Sequence, residues 1–261
     1  MLIRGTAPLL ISFPHAGSRI PEPIAARMTP AALASTDTDW HLPQLYAFAG
    51  AMGASLLTAE LSRYVIDLNR PPDDAPLYAG QLKTGLCPVE TFRAEPLYRP
   101  GQAPAGDEIA ERRERYWQPY HALLAEELQR LRQEHGAVLL WEAHSIASRL
   151  PRLFEGRLPD LNLGTVDGAS CDAGLQAAIE QPLARQDGFT YVSNGRFKGG
   201  YITRHFGRPA QGIHAVQLEQ CQCTYMDEEP PLGFRPDLAR RVQPLLRQMV
   251  GAGLDRVRQA R

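Results

Sequence analysis

The stretch Ala137-Val138-Leu139-Leu140-Trp141, followed directly by Glu142-Ala143-His144-Ser145, is the strongest indication of the fold class in this sequence. A short apolar run that stops at polar residues is typical of a buried strand. Three further runs stop in the same way: Leu9–Phe13 before Pro14-His15, Tyr64–Ile66 before Asp67-Leu68-Asn69-Arg70, and Ile213–Leu218 before Glu219. Ligands of an open α/β sheet bind outside the carboxyl ends of its strands. We therefore expect these polar residues to converge at one edge of a sheet.

Length and composition indicate a globular enzyme. The 261 residues are 44% hydrophobic and 22% charged, which is enough to bury a large core in one domain. The net charge of -1 argues against a nucleic-acid or anionic-membrane partner. No run approaches the ~20 apolar residues of a membrane span, and the first residues lack the features of a signal peptide. We expect a cytoplasmic protein whose four cysteines are reduced thiols.

Strand-like and helix-like segments alternate along the chain. We predict strands at 9–13, 55–61, 63–68, 138–141 and 214–219, and helices at 43–53, 107–135, 172–185 and 236–261. Pro119 is expected to kink the second helix and Gly136 to close it. Residues 71–106 are rich in Pro and Gly and predict a long ordered loop or lid. The pattern indicates one domain over residues 1–261, a three-layer α/β/α fold with a central, mostly parallel or mixed sheet.

Two strand-end histidines suggest a metal site. His15 or His144 alone is more simply explained as a hydrogen-bonded core or loop residue. Together they favour a metal, because imidazole is the commonest metal ligand and catalytic zinc takes three protein ligands. The third ligand is left open between Asp37, Asp39 and His41. Glu142 faces the same side of its strand as His144. It is interpreted as a further ligand, as a partner of that histidine, or simply as a buried, paired carboxylate.

The remaining strand ends suggest a substrate clamp and a base. Asn69-Arg70, stiffened by the prolines that follow, suits bidentate capture of a carboxylate. The alternative is that Arg70 pairs with Asp67 or Asp73 for structural reasons. Glu219 ends an apolar strand, where an unpaired carboxylate is costly, and this favours a general base or a metal partner. The glycine-rich segment 195–200 lacks the ending of a phosphate loop and predicts a tight turn or mobile lid.

With these residues identified, the chain resembles the N-formylglutamate deformylase (N-formylglutamate amidohydrolase) family over nearly its whole length. The residues that carry the resemblance are Ile11–Gly17, Asp37–His41, Val65–Pro71, Leu77-Tyr78-Ala79-Gly80, Trp141–Ile146, Leu158–Thr165, Asn194–Gly200 and Thr224–Glu228. The resemblance implies hydrolysis of N-formyl-L-glutamate to formate and L-glutamate in histidine degradation. It also implies a zinc-peptidase-like fold.

Zinc carboxypeptidases and aspartoacylase resemble the chain more distantly. They take two metal ligands from a His-x-x-Glu pair and a third from a later strand-end histidine. Here Ser18 stands three residues after His15, so the resemblance leaves the third ligand to another residue, and Asp39 is our first choice. Glu142 also replaces the aspartate expected in the family at that position.

The resemblance implies a mechanism of metal-assisted amide hydrolysis. We expect a divalent metal, with zinc as the favoured ion, on His15, Asp39 and His144, and Glu219 as the base. Asn69 and Arg70 are expected to hold one substrate carboxylate, and Arg149 or Arg204 the other. The alternatives are an amidohydrolase for another N-acyl amino acid and a non-catalytic small-molecule-binding relative. We expect a monomer or a small homo-oligomer.

Overall fold

Seven strands form one mixed sheet in the computed structural model, which describes residues 1–76 and 84–259. The strands are β1 (Leu2–Ile3), β2 (Leu9–Phe13), β3 (Ser55–Thr58), β4 (Val138–Ile146), β5 (Leu161–Gly164), β6 (Tyr191–Ser193) and β7 (Ile213–Cys221). Their order is β1-β3-β2-β4-β7-β5-β6. β3, β2, β4 and β7 are mutually parallel, whereas β1 and β5 run antiparallel to β3 and β7. The parallel centre brings the carboxyl ends of β2, β4 and β7 to one edge.

Helices cover both faces of the sheet. They are α1 (Glu22–Ala25), α2 (Pro30–Leu33), α3 (Leu42–Leu45), α4 (Phe48–Ala51), α5 (Gly106–Arg112), α6 (Gln118–His135), α7 (Ala173–Ala184), α8 (Tyr201–Phe206) and α9 (Pro236–Gln259). One core lies between the sheet and α3, α4, α7 and α9, and a second lies between the sheet and α6 and α8. The α/β class with a central mixed sheet is therefore confirmed. Within the described ranges, no helix combines the length and apolarity that a membrane span needs.

The central strands are apolar on both faces, which explains their continuous apolar runs. In β4, Leu139 and Trp141 face the α7–α9 side, while Val138 and Leu140 face the α6 side. All nine residues of β4 are buried. Strands covered on both faces by helices read as unbroken hydrophobic segments. The strand extends five residues beyond Trp141, so Glu142 and His144 lie within it.

The predicted strand at 63–68 is wrong. This segment forms turns, with the Val65 amide donating to the Ser62 carbonyl over 2.9 Å. Tyr64 and Val65 are buried in a separate small core with Met28 and Tyr98, outside the sheet. A short apolar run shows that a segment is buried, but its periodicity does not tell a strand from a buried turn.

The helical predictions differ from the structure mainly at their boundaries. The segment 43–53 forms the two short helices α3 and α4, and 107–135 is divided by a π-helical turn at Arg113–Trp117. Pro119 falls in the first turn of α6, where a missing N–H costs nothing, and Gly136 ends α6 with a φ of 82° as expected. Residues 71–76 and 84–105 contain no helix and no sheet strand, while the Leu77-Tyr78-Ala79-Gly80 motif lies outside the described residues.

Candidate active site

Two histidines and an aspartate meet at the carboxyl edge of the sheet. His15 follows β2, His144 lies near the end of β4, and Asp39 lies between α2 and α3 with its amide donating to the His15 carbonyl over 3.0 Å. Asp39 Oδ2 is 3.8 Å from His15 Nδ1 and 3.3 Å from His144 Nδ1. One nitrogen or oxygen atom from each residue lies within 4.8 Å of the others. Ligands around a tetrahedral zinc are spaced by ~3.3 Å, so these atoms lie close enough together to be candidate ligands of one metal ion.

The Asp39 carboxylate gives the strongest evidence for a cation. Asp39 is 1% exposed, and within residues 1–76 and 84–259 neither of its oxygens accepts a hydrogen bond. A buried carboxylate that accepts no hydrogen bond costs several kcal/mol unless a cation, here a metal ion or a protonated His144, balances it. The donor set of two imidazoles and one carboxylate is one that zinc accepts. The residues present therefore fit a divalent metal.

The side chain of His15 is oriented by Asp67. His15 Nε2 lies 2.7 Å from Asp67 Oδ1, and Arg63 Nη2 donates to Asp67 Oδ2 over 2.7 Å. Burial opposes ionisation of Asp67, but its interaction with the His15 ring and the charge of Arg63 hold the pKa of that carboxyl well below its usual range. Burial and Arg63 lower the pKa of His15 against the opposing pull of Asp67. A neutral His15 that donates from Nε2 presents a lone pair at Nδ1, on the side of Asp39.

His144 lies among three carboxylates. Its Nε2 atom is 3.3 Å from Glu142 Oε2, and its Nδ1 atom is the one that faces Asp39. Burial lowers the pKa of His144, but Asp39, Glu142 and Glu219 outweigh that effect and raise it to about 10. The surroundings of His144 therefore favour a positive charge at this point, which either a proton or a metal ion supplies.

Glu219 lies beside the cluster of His15, Asp39 and His144, which we call the metal cluster because these residues are the candidate ligands. It is paired with His144 in the β4–β7 register and is 8% exposed. Together with His15 and His144 it lines a cavity at this edge of the sheet. Burial and the negative charge of Asp39 raise its pKa to about 8, even though His144 and Arg63 act in the opposite direction. A buried carboxyl with a pKa near neutrality can accept and return a proton.

Asn69 is held by the start of α8. The amide of Ile202 donates to Asn69 Oδ1 over 2.9 Å, which leaves Nδ2 on the side of His144, 3.2 Å from its Nε2. Gly200 packs directly against this side chain, because a Cβ atom at that position would lie 2.3 Å from Asn69 Nδ2. The segment 195–200, predicted to be a turn or lid, therefore contributes to the site by fixing Asn69.

Arg70, the residue after Asn69, extends into the cavity. Its guanidinium donates to Thr84 Oγ1 over 2.5 Å, whereas the Asp67 carboxylate is bonded to His15 and Arg63. From the far side, Trp117 Nε1 donates to the Arg70 carbonyl over 3.0 Å. The contacts of Arg70 thus leave it in the cavity wall, as a substrate clamp requires.

The other candidates for the third ligand have separate roles. Asp37 Oδ2 accepts a hydrogen bond from the Phe92 amide at 2.8 Å, and His41 Nε2 lies 2.9 Å from the Leu232 carbonyl. Glu142 approaches His144 at Nε2, the nitrogen that faces away from Asp39. Of the four candidates, only Asp39 lies among the described residues that form the metal cluster.

Neither arginine expected to bind the second carboxylate is in the cavity wall. Among the described lining residues, the arginines are Arg63, Arg70 and Arg196. Arg149 is exposed beyond the end of β4, and Arg204 in α8 donates from Nε to the Gly199 carbonyl over 2.9 Å. Arg149 is exposed in the loop after β4, whereas Ile146 before it and Leu153 after it line the cavity, so the apolar residues of this loop and not its arginine reach the cavity wall.

Sequence reasoning missed three site residues: Arg63, Arg196, and Asp67 as the partner of His15. One signal was present for Asp67, since a metal-binding histidine usually donates its second N–H to a carboxylate or carbonyl. Asp67 directly follows the apolar run Tyr64–Ile66, so it was a candidate for this role. Arg63 had no comparable local signal, and Arg196 lies in the segment Asn194–Gly200, which the resemblance singled out without giving this arginine a role.

Comparisons with known proteins agree with the family resemblance seen in the sequence. The N-formylglutamate amidohydrolase family model matches residues 7–226. The chain is 54% identical over 247 residues to an N-formylglutamate deformylase of Pseudomonas aeruginosa, covering 95% of this chain and 92% of that protein. It is 53% identical over 249 residues to one of Pseudomonas putida, covering 95% and 93%. A crystal structure of N-formylglutamate amidohydrolase from Ralstonia eutropha JMP134 matches with a TM-score of 0.80 at 28% identity, covering 99% of this chain and 97% of that chain.

Proposed function

Because the chain belongs to the N-formylglutamate amidohydrolase family, we propose that it hydrolyses N-formyl-L-glutamate to formate and L-glutamate. The observation that carries this proposal is the buried Asp39 carboxylate between two imidazoles, beside the carboxyl of Glu219. We further propose histidine degradation as the source of the substrate. The four cysteines are free thiols, which agrees with a reducing cytoplasm as the compartment.

The metal would be held by His15, Asp39 and His144, and zinc is the ion we propose. When bound, such an ion polarises a carbonyl oxygen and lowers the pKa of water to about 7. Asp67 keeps His15 in the tautomer that ligation needs, since it accepts a hydrogen bond from the opposite ring nitrogen.

Glu219 is the proposed general base and then the general acid. It removes a proton from the water whose oxygen attacks the formyl carbon. As the carbon–nitrogen bond breaks, the same proton passes to the nitrogen of the leaving glutamate. General acid–base catalysis of this kind typically contributes ~100- to 10,000-fold in rate.

Arg70 and Asn69 are proposed to bind the α-carboxylate of the substrate. In N-formylglutamate this group is attached to the carbon that carries the scissile nitrogen, so it must lie close to the metal and the base. Asn69 Nδ2 is 3.2 Å from His144 Nε2, and the positive charge of Arg70 acts on Asp67. The Asn69-Arg70 pair is thus next to the proposed reaction centre.

The decisive experiment measures formate release together with metal content. Protein stripped by a chelator should release no formate from N-formyl-L-glutamate, and added zinc or cobalt should restore activity in proportion to the metal bound. N-acetyl-L-glutamate and N-formyl-L-aspartate serve as comparison substrates. Full activity without bound metal would exclude the mechanism. Absence of formate release at full metal occupancy would instead exclude the proposed reaction, and preference for another N-acyl amino acid would redefine the substrate.

A further inference from the structure

A third arginine lines the cavity and has no role in the reaction as described so far. Arg196 follows β6 in the turn that leads to Gly200 and α8. It is one of three arginines among the described lining residues, together with Arg63, which orients Asp67, and Arg70. N-formylglutamate carries two carboxylates, of which the Asn69-Arg70 pair accounts for one.

The cavity wall around Arg196 is apolar. Its guanidinium carbon lies 5.5 Å from the ring centre of Phe154 and 5.9 Å from that of Phe197. Leu153 and Phe197 belong with Ile146 to one hydrophobic cluster, and all three line the cavity. A cation beside aromatic rings is partly desolvated and held in position, and desolvation strengthens its attraction to an anion.

This arrangement matches the two ends of a glutamate side chain. The two methylene groups require an apolar wall, and the γ-carboxylate beyond them requires a cation. The α-carboxylate has to remain near the metal cluster, where Asn69-Arg70 lies. We propose that Arg196 binds the γ-carboxylate and thereby selects acidic N-formyl amino acids over neutral ones. This inference rests on the proposed deformylase function.

The test compares Arg196→Gln with Arg70→Gln in the metal-loaded enzyme on three substrates. N-formyl-L-glutamine replaces the γ-carboxylate by a neutral amide of the same shape, and N-formyl-4-aminobutyrate keeps the γ-carboxylate but lacks the α-carboxylate. Arg196→Gln should lower kcat/KM at least ~30-fold on N-formyl-L-glutamate and on N-formyl-4-aminobutyrate, with little change on N-formyl-L-glutamine. Arg70→Gln should instead spare N-formyl-4-aminobutyrate.

Two further variants and one binding measurement complete the design. Arg247→Gln, on the exposed face of α9, is the matched control and should behave as the wild type on all three substrates. Arg149→Gln tests the competing assignment of the second carboxylate. L-glutamate and L-glutamine carry no formyl group, so their inhibition of the enzyme reports how the site discriminates a γ-carboxylate from a γ-amide by binding alone. Arg196→Gln should weaken inhibition by L-glutamate only.

Equal losses on all three substrates, or equal weakening of both inhibitors, would overturn the proposal and make Arg196 a support of the cavity. A selective loss in Arg149→Gln with none in Arg196→Gln would also overturn it. Failure of the wild-type enzyme to release formate from N-formyl-L-glutamate is a different result, which refutes the proposed function itself.

Discussion

Gly200 offers the sharpest test of how the fold positions the site. A Cβ atom there would lie 2.3 Å from Asn69 Nδ2 and 2.5 Å from Asn69 Oδ1, far inside contact distance. The φ of -81° at Gly200 suits any residue, so Gly200→Ala acts through this clash and causes no backbone strain. Overpacking typically costs about 1 to 3 kcal/mol, which for a chain of this size lowers Tm by roughly 2 to 10 °C. Displacement of Asn69 should also lower kcat/KM by about 100-fold.

A double-mutant cycle with Asn69→Ala separates the clash from other effects. Removing the Asn69 side chain makes room for the new methyl group, so Gly200→Ala should cost at least ~1 kcal/mol less in that background. Urea unfolding of the four proteins measures this coupling. Gly50→Ala in α4 is the control, since its Cβ would meet no atom within 4 Å, and we expect no loss of stability. A Gly200→Ala cost that stays the same without the Asn69 side chain would refute the reasoning.

Four further results are expected. Glu219→Gln cannot accept a proton and should lose at least ~100-fold in kcat while binding metal normally; loss of metal would make Glu219 a ligand. Arg70→Lys keeps the charge but loses the paired hydrogen bonds, so it should raise KM for N-formyl-L-glutamate, and an unchanged KM would remove Arg70 from the clamp. Asp67→Asn should weaken zinc binding by ~10- to 100-fold, measured by competition with a chelating dye; unaltered affinity would mean that His15 does not need this partner. Burial lowers the pKa of His121 to about 3 against an unfolded value of 6.5, so the folded state resists protonation and stability should fall as pH drops from 6.5 towards 3. In His121→Gln the decline measured by urea unfolding should be flatter, and an identical slope would contradict the assignment.

Three of the predicted site residues that the structure brings together, His15, His144 and Glu219, lie near the ends of sheet strands. The apolar runs before His15, His144 and Glu219 are local signals, and parallel pairing of β2, β4 and β7 brings their ends together. Tyr64–Ile66 gave the same signal but lies outside the sheet, with Tyr64 and Val65 in a separate small core and Ile66 in the core beside α6. The residues that follow this run, Asp67, Asn69 and Arg70, nevertheless line the same cavity as His15 and His144. The short strands β5 and β6 were missed.

The amino-acid sequence alone predicted the α/β class and pointed to His15, His144, Glu219 and the Asn69-Arg70 pair, because each signal depends on residues adjacent in the chain. Tertiary contacts, in contrast, place Asp39 and not the neighbouring Asp37 beside the two histidines, and Arg196 rather than Arg149 in the cavity wall. These choices depend on the paths of loops that are packed against distant elements. Asp37 is engaged by the Phe92 amide, 55 positions further along the chain, and this contact has no counterpart in local sequence pattern. Hydrophobic periodicity determines which segments are buried, whereas contacts between remote loops determine which polar side chain faces the site.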